Sequence, residues 1–235
     1  MNYLNLIRIK HWAKNLFLFV PLFFSGELLN TEKMLTVLAG FFAFSFTASS
    51  IYVINDYRDI ENDRKHPEKC KRPLASGAVS PVSGLVAAIL LLITGFLIAY
   101  WIRDKFLFVL GIYFLINIGY SFGLKNISIL DIILLAIGFV LRIKAGSVIA
   151  FVPLSEWIVI MVFLLATFMA IGKRRDDVLL KLQSGIDMRK ASKGYNLEFM
   201  NVSLSLVSAV IIVAYFMYTM SPEIIERMGT HRLYY

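Results

Sequence analysis

The chain has 235 residues, of which 58% are apolar and 17% are charged. An ordinary soluble domain has about a quarter of its residues charged, so this composition excludes a typical water-soluble globule. The formal net charge is +8, and the charged residues lie in clusters between long uncharged runs. This arrangement is typical of an all-α polytopic membrane protein.

The first candidate membrane span covers residues 15–26, which contain only twelve uncharged positions. A stretch of that length is also compatible with a core or interfacial segment. It crosses the bilayer only if Lys10, Trp12 and Lys14 lie at the membrane surface, with the basic side chains snorkelling towards water. We count it as a span, which gives seven transmembrane helices in all.

Four of the other six spans follow from uncharged runs as long as the roughly 17–25 residues that a spanning helix needs. These runs are residues 34–55, 73–102, 106–124 and 199–222. Two further spans are predicted at 132–150, which Arg142 and Lys144 interrupt, and at 157–172, which ends against Lys173.

The basic residues predict the orientation. With seven spans, 17 of the 24 Lys and Arg residues lie on one side of the membrane and five on the other. The positive-inside rule then places the amino terminus and the loops at about 56–79 and 173–198 in the cytoplasm, as expected for a multi-pass protein of the cell (inner) membrane. An alternative is that these charges only set topology and contact anionic headgroups.

An acidic cluster follows the second predicted span. Asp56, Asp59 and Asp63 are spaced i, i+3 and i+7, so a continuous helix places them on one face, with Asn55 one turn before Asp59. Carboxylates this close repel unless a cation bridges them, and Mg²⁺ is commonly held by one or two carboxylates plus water and phosphate oxygens. The alternative is a solvated helix end that nearby basic residues neutralise.

A compact basic loop comes next, at residues 66–77, and contains two prolines and a glycine. Its Lys and Arg side chains are suited to bind the phosphate oxygens that a metal does not reach, Arg through bidentate hydrogen bonds. His66 is interpreted as a loop residue, because Mg²⁺ prefers oxygen ligands.

The order N-D-x-x-D-x-x-x-D-R from Asn55, a His-Pro step, and R-P-L-A-S-G from Arg72 resembles the first aspartate-rich motif of the UbiA superfamily of intramembrane prenyltransferases. Within it, the chain is most similar to the decaprenyl-phosphate phosphoribosyltransferase branch. Further matching segments begin at Arg8, Tyr120, Gly138 and Gly172. The resemblance covers nearly all of the chain in the same order.

The resemblance implies a UbiA-like helical bundle, folded as a single transmembrane domain over residues 1–235. The family has nine helices around a cavity that opens to the cytoplasm and to lipid, so we expect this chain to lack the C-terminal pair. The family's second motif, D-x-x-x-D, is replaced here by Lys-Arg-Arg-Asp-Asp at 173–177, with Asp187 ten residues on. Adjacent carboxylates point about 100° apart on a helix, so this segment begins as an anion-binding segment, with Asp176 or Asp177 as a further candidate to help hold Mg²⁺.

The two cations within the fifth span need polar surroundings, because an unpaired cation at that depth costs at least ~2.5 kcal/mol. We interpret Arg142 as lining an anionic substrate pocket, and the alternative is a structural pair with an acid on another helix. Lys144 points to a different face and is left out of the site.

The branch resemblance implies that the chain transfers 5-phosphoribose from phosphoribosyl diphosphate to a polyprenyl phosphate, with Mg²⁺ as cofactor. Asp56, Asp59 and Asp63 are the candidate catalytic and metal-binding residues. The candidate phosphate-binding residues are polar or basic and lie near the predicted cytoplasmic surface or inside the fifth span. They are Lys14, Asn55, Arg64, Arg72, Tyr120, Lys125, Arg142, Lys173 and Arg174.

Two rival functions remain open. An aromatic polyprenyltransferase would use a polyprenyl diphosphate at the same metal site, and a small membrane transporter would also place charges inside its spans. The expected partners are the two substrates and membrane lipids. A homo-oligomer is compatible with the sequence, whereas nucleic-acid binding is not supported, since the basic loops alternate with acids and adjoin membrane helices.

Overall fold

A computed structural model of the chain describes residues 2–65, 67–184 and 194–221. The α-helices in these ranges are α1 (Asn2–Leu6), α2 (Val20–Phe24), α3 (Thr31–Arg58), α4 (Ile60–Arg64), α5 (Pro81–Ile102), α6 (Asp104–Phe122), α7 (Leu130–Ala150), α8 (Glu156–Ser184) and α9 (Leu197–Thr219). Short 3₁₀-helices cover Lys69–Lys71 and Leu124–Asn126, and a longer one covers Ile9–Phe19.

Six helices in the described part of the chain are long and apolar enough to cross a bilayer, namely α3 and α5 to α9. They correspond to six of the seven predicted spans, which agrees with an all-α polytopic membrane protein. The first predicted span, at 15–26, differs, because residues 15–24 belong to the 3₁₀-helix Ile9–Phe19 and to the short α2, and a turn follows.

The 3₁₀ geometry of this first segment follows from which residues it buries. Trp12, Asn15 and Leu18 are three residues apart, and a helix with 3.0 residues per turn aligns them on one face. The Trp12 indole donates to Ser49 Oγ at 2.9 Å, Asn15 donates to Ser45 Oγ at 2.9 Å, and Leu18 is buried. Tertiary contacts with α3 therefore select the tighter helix.

Contacts between residues divide the chain into two compact units. The first comprises Met1–Ser121 and Leu141–Pro153. Its central pair is α3 with α5, joined by residues 59–80. Small side chains allow this close packing: a Cβ on Gly95 of α5 would lie 2.8 Å from the Ala43 carbonyl oxygen of α3.

The connection between α3 and α5 also fixes the direction of the helices. The C-terminal end of α3 and the N-terminal end of α5 meet at the end of the first unit that carries the acidic cluster. There Leu6, Val53, Leu74, Val79 and Ala88 form one buried apolar cluster. The start of α5 is set by Ser80, whose hydroxyl accepts from Ser83 N at 3.1 Å, and by Pro81 at the first helical position.

The second unit comprises Phe122–Val140 and Leu154–Tyr235. In its described part, α8 packs against α9, and a buried cluster includes Ile132, Ile171, Val178, Tyr195 and Met200. This cluster joins the N-terminal half of α7 to the segment that precedes α9.

The two predicted loops are partly helical. The helix α8 continues to Ser184, so the first twelve residues of the predicted loop at 173–198 are helical. Residues 185–193, which include Asp187, lie outside the described residues, as does His66. In the predicted loop at 56–79, α3 continues to Arg58 and α4 follows directly after Asp59. Each of these two helical segments is a polar extension of an apolar span. Run length and hydropathy alone do not detect such an extension.

Candidate active site

The candidate site in the first unit combines two buried carboxylates with two partly exposed guanidinium groups. Arg72 Nη1 donates to Asp56 Oδ1 at 3.0 Å and to Asp63 Oδ2 at 2.7 Å. Arg8 Nη2 donates to both oxygens of Asp56, at 2.6 and 2.8 Å. The Asp56 and Asp63 side chains are 3% and 5% exposed, so their charges are compensated mainly by these arginines.

The helix is interrupted at the middle aspartate of the motif. Asp59 ends α3 with φ −95° and ψ 8°, and α4 begins at the next residue. Helical hydrogen bonds still cross the break, from Asp59 N to the Asn55 oxygen at 3.0 Å and from Asp63 N to the Asp59 oxygen at 2.8 Å. The predicted i, i+7 relation between Asp56 and Asp63 is thereby preserved, and both meet Arg72. Asp59 and Asn55 are half-buried, and the predicted roles of Asp59 in metal binding and of Asn55 in phosphate binding remain predictions.

The carboxylates fit a hard divalent cation. Their oxygens converge on one nitrogen atom, Arg72 Nη1, and carboxylate oxygen is the ligand type that Mg²⁺ takes. In the described residues, no group of three or more His, Cys, Asp or Glu side chains is arranged to hold a metal. Asp56 and Asp63 therefore suit a site of the Mg²⁺ type, in which substrate phosphates and water supply the remaining ligands.

The loop after α4 is folded so that it presents Arg72. The Ser76 amide donates to the Arg72 carbonyl at 2.9 Å, and the Val79 amide donates to the Pro73 carbonyl at 3.0 Å. Gly77 has φ +77°, a conformation that favours glycine. Leu74 and Val79 are buried in the apolar cluster, which anchors the loop. Local turns and two apolar anchors thus place the guanidinium between the carboxylates.

Arg64 faces away from this pair of carboxylates. Its Nη1 pairs with Glu61 at 2.9 Å on the exposed side of α4, and its Nε donates to the Ala75 carbonyl at 3.3 Å. In the structure, the Arg64 side chain supports the loop. Binding of a substrate phosphate by Arg64 remains a prediction.

Arg142 lies inside the first unit with 6% of its surface exposed. Its Nε donates to Asn15 Oδ1 at 2.9 Å and its Nη2 donates to the Tyr113 hydroxyl at 3.0 Å. The guanidinium also lies 5.3 Å from the Phe44 ring centroid. These contacts link the N-terminal segment, α6 and α7, so Arg142 has a structural function whether or not it also binds phosphate.

Lys14 and Tyr120 complete the predicted residues of the first unit. Lys14 lies on the exposed face of the 3₁₀-helix, next to the buried Asn15, and Tyr120 is half-buried near the end of α6. Close by, Arg58 Nη1 donates to the Ser121 carbonyl and ties the end of α3 to the end of α6.

The second unit contains a separate buried charge network. Arg174, with 1% of its side chain exposed, forms a salt bridge with Asp131 and a second one, at 3.2 Å, with Asp177. The Tyr195 hydroxyl donates to Asp131 Oδ1 at 2.7 Å and accepts from the Ile129 amide at 2.5 Å. The guanidinium of Arg174 is thus bound by carboxylates within its own unit.

The environment of Tyr195 changes its acidity. Burial raises the pKa of Tyr195, and its hydrogen bond to the Asp131 carboxylate raises that pKa further. Tyr195 is therefore a neutral hydrogen-bond donor at physiological pH. The other predicted residues of this unit are more accessible: Lys173 is exposed on α8 and Lys125 is half-buried in the 3₁₀-helix Leu124–Asn126.

Sequence reasoning missed Arg8, Asn15 and Asp131, which bind the predicted residues Asp56, Arg142 and Arg174, and it missed Tyr195, which binds Asp131. Three of them lie in segments that the sequence had marked as matching the family, at Arg8 to Asn15 and at Asp131, but their partners are 30 or more residues away. One local signal existed for Asp131, which is an acid in the first turn of a mainly apolar span and needs a cationic partner there. Tyr195 carried no signal, because a tyrosine before a helix has many structural uses.

Comparison with known proteins identifies the family of the chain. The sequence model of the UbiA prenyltransferase family matches residues 16–224. The decaprenyl-phosphate phosphoribosyltransferase of Mycolicibacterium smegmatis is 34% identical over 221 residues, which cover 92% of this chain and 70% of that protein. The enzyme of the same name from Corynebacterium glutamicum is 35% identical over 214 residues, covering 89% and 64%. The chain thus spans about two thirds of the length of these relatives.

Solved structures share the fold. A UbiA homolog from Archaeoglobus fulgidus bound to DMAPP and Mg²⁺ superposes with a TM-score of 0.77 at 23% identity, over 100% of this chain and 84% of the other. The same homolog bound to Cd²⁺ gives a TM-score of 0.73 at 21% identity, over 97% and 82%. These similarities establish the architecture, and the homolog was solved with divalent metals.

Proposed function

Because the chain belongs to the UbiA prenyltransferase family, we propose that it transfers 5-phosphoribose from phosphoribosyl diphosphate to a polyprenyl phosphate and releases pyrophosphate. The observation that carries this proposal is the cluster of Asp56, Asp63, Arg8 and Arg72, since it combines oxygen ligands for a metal with cations for phosphates. The names of the two phosphoribosyltransferase relatives support the choice of substrates.

We assign Mg²⁺ to Asp56 and Asp63, with Asp59 as the third member of the motif. When bound, the metal would neutralise charge on the diphosphate leaving group. Arg8 and Arg72 lie against the same carboxylates, so they are positioned to exchange a carboxylate oxygen for a phosphate oxygen of the substrate. Guanidinium groups suit this exchange because they bind carboxylate and phosphate through the same planar geometry.

In the proposed reaction, a phosphate oxygen of the polyprenyl phosphate forms a bond to C1 of the ribose. The bond from C1 to the diphosphate breaks, and its electron pair leaves with pyrophosphate. The attacking oxygen is already anionic near neutral pH, so a strong general base is not required. The main task of the protein is to hold two repelling anions in line, for which the basic residues Lys14, Lys125 and Lys173 are further candidates.

We further propose that the chain forms a single domain in the inner membrane of the cell. In the proposed orientation, the amino terminus and the loops around 56–79 and 173–198 lie in the cytoplasm. Phosphoribosyl diphosphate is a soluble anion and would reach the cluster of Asp56 and Arg72 from that side. The polyprenyl tail would remain in the lipid. This arrangement follows the distribution of Lys and Arg between the loops.

The test is a transfer assay with purified protein, MgCl₂, ribose-labelled phosphoribosyl diphosphate and decaprenyl phosphate. We expect label to enter the organic phase and pyrophosphate to be released in equal amount, both dependent on Mg²⁺. A parallel reaction contains decaprenyl diphosphate and 4-hydroxybenzoate. Prenyl transfer to the benzoate, without label transfer to the lipid, would contradict the proposal and favour the aromatic prenyltransferase alternative.

A further inference from the structure

Lys144 is a charged residue within a span that the candidate site does not use. It lies on the exposed side of α7, six residues before the helix ends at Ala150, or about 9 Å along the axis. A lysine at this depth costs free energy unless its ammonium group reaches water or an anion. Its surroundings in the first unit supply such a place.

A groove of about 360 Å³ lies between the first turns of α6 and the last turns of α7. It is lined by Asp104, Lys105, Phe108, Val109, Lys144 and Val148. The spacing explains this set, because residues four apart share a helix face, as Lys105 does with Val109 and Lys144 with Val148. The surface of the groove is therefore almost wholly apolar, and the side chains of Lys105 and Lys144 border it.

The edges of the groove are held in place. Arg103 Nη1 donates to the Val148 carbonyl at 3.2 Å, and this carbonyl belongs to the last turn of α7, where intrahelical partners run out. On the opposite face of α6, Phe106 and Leu110 are fully buried. The distance between the two walls is thus set by packing and by a hydrogen bond.

The charges of the groove are not balanced internally. Within the part of the chain that the structure describes, Lys105 and Lys144 take part in no salt bridge, and the lining carries two cations and one anion. Phe108 is 69% exposed beside them. A ligand that fits has one negative charge and an apolar part.

The groove lies at the other end of the first unit from the candidate active site. Asp56 is near the C-terminal end of α3, where α5 begins, and α5 runs the length of a span before α6 starts at Asp104. The two positions are therefore separated by about the length of α5, or roughly 30 Å for its 22 residues.

We propose that this groove binds an anionic glycerophospholipid of the surrounding membrane. The phosphodiester of the lipid, with one negative charge, would contact the ammonium groups of Lys105 and Lys144, and its acyl chains would lie along Phe108, Val109 and Val148. A lipid is the partner that the chemistry favours over a soluble anion, because the groove is almost wholly apolar and lies between two helices that are long and apolar enough to cross a membrane.

The experiment measures lipid selectivity and needs no catalytic activity. The protein is reconstituted in nanodiscs of equal phosphatidylglycerol and phosphatidylcholine, extracted into mild detergent, and the retained lipids are quantified by mass spectrometry. We expect retained lipid to be enriched in phosphatidylglycerol. Lys144→Gln and Lys105→Gln are each expected to lower the enrichment by up to about fivefold, as a lysine near anionic lipid contributes about that factor.

Matched variants make the result specific. Lys33→Gln removes the same charge from the same end of the first unit, but Lys33 pairs with Glu27 outside the groove, so the enrichment should persist. Asp104→Asn removes a repulsive charge and should increase the enrichment, and Lys144→Arg should preserve it. Equal retention of both lipids by the unaltered protein, an equal loss in Lys33→Gln, or displacement of phosphatidylglycerol by millimolar inorganic phosphate would overturn the proposal.

Discussion

At the scale of single residues, the charges inside this protein are compensated in two different ways. Asp56 and Asp63 share Arg72, and Asp56 also binds Arg8 through both oxygens, while both arginines remain about one quarter exposed or less. Asp131 and Arg174 are almost fully buried and have additional partners in Asp177 and Tyr195. The first cluster keeps contact with solvent and can exchange partners, whereas the second is suited to hold its own helices together.

Asp56→Asn is expected to lower kcat/KM by about 10²–10³-fold, since it removes the anionic side chain that we propose as a ligand of the metal that would stabilise charge on the leaving group. The amide keeps one acceptor for Arg8, so a loss of stability of about 1–3 kcal/mol is expected. Activity is measured in the lipid-label assay at a temperature where the variant remains folded.

Glu61→Gln is the control from the same segment. Glu61 is exposed and pairs with Arg64 at the surface, so we expect activity within about twofold of that of the unaltered protein. Equal effects of both changes would contradict the assignment.

Tyr195 is expected to keep its proton above pH 10. A raised pKa in the folded protein means that the folded state binds this proton more tightly than the unfolded state. The stability that Tyr195 contributes is therefore complete below about pH 10, the value of an ordinary tyrosine, and is lost as the pH rises further. Phenolate absorbance near 295 nm provides the measurement. The unaltered protein and Tyr195→Phe should give the same titration curve through pH 10, and an extra tyrosine ionising below that pH in the unaltered protein would contradict the assignment.

At the scale of helices, close backbone approach determines how the first unit packs. Gly146 of α7 faces the 3₁₀-helix Ile9–Phe19, and a Cβ there would overlap the Leu18 carbonyl oxygen. The same unit joins these elements through Asn15 and Arg142. The first segment thus owes its shape and position to neighbours that are distant in sequence.

Gly146→Ala is expected to destabilise the protein by about 2–3 kcal/mol or more, because the added methyl group meets backbone rather than a flexible side chain. Gly111→Ala is the matched control in the middle of α6, where a Cβ would meet no atom within 4 Å. Alanine is the better helix former, so this variant should be as stable as the unaltered protein or up to about 1 kcal/mol more stable. Apparent unfolding temperatures in detergent provide the comparison; similar losses in both variants would argue against the close contact.

At the scale of the whole molecule, six long apolar helices and the family relationship make the chain a multi-pass membrane protein. The single cysteine, Cys70, lies in the loop between α4 and α5 and is partly exposed. It provides a native reporter for the proposed orientation, because it follows the acidic cluster directly in the chain.

A membrane-impermeant maleimide should label Cys70 in inside-out vesicles and leave it unlabelled in intact spheroplasts. The reason is that the positive-inside rule places this basic loop in the cytoplasm. As a control for the opposite side, Leu29→Cys in a Cys70→Ser background should react from outside; Leu29 is 96% exposed before the start of α3. Labelling of Cys70 in intact spheroplasts would reverse the proposed orientation.

Much of the architecture was predictable because hydropathy and charge spacing are local properties. Four of the six long helices agree with uncharged runs and the other two with the interrupted run at 132–150 and the short run at 157–172, and the motif from Asn55 to Arg72 led to the family that the comparisons establish. The prediction for residues 15–26 was less successful, because the choice of a 3₁₀-helix depends on Ser45 and Ser49 of another helix. The end of α8 was also placed too early, because a polar helical extension has no hydropathy signal.

The sequence by itself determined that the chain is an all-α membrane protein and that Asp56 and Asp63 lie seven residues apart on a helical path, and it predicts that the cations are concentrated on one side of the membrane. Only the tertiary structure decided that Arg8 and Arg72 compensate these carboxylates, that Asp131 binds Arg174 and Tyr195, and that Lys105 and Lys144 line one groove. The physical reason is that a helix fixes neighbours three and four residues apart, whereas partners tens of residues apart are brought together only when the helices pack.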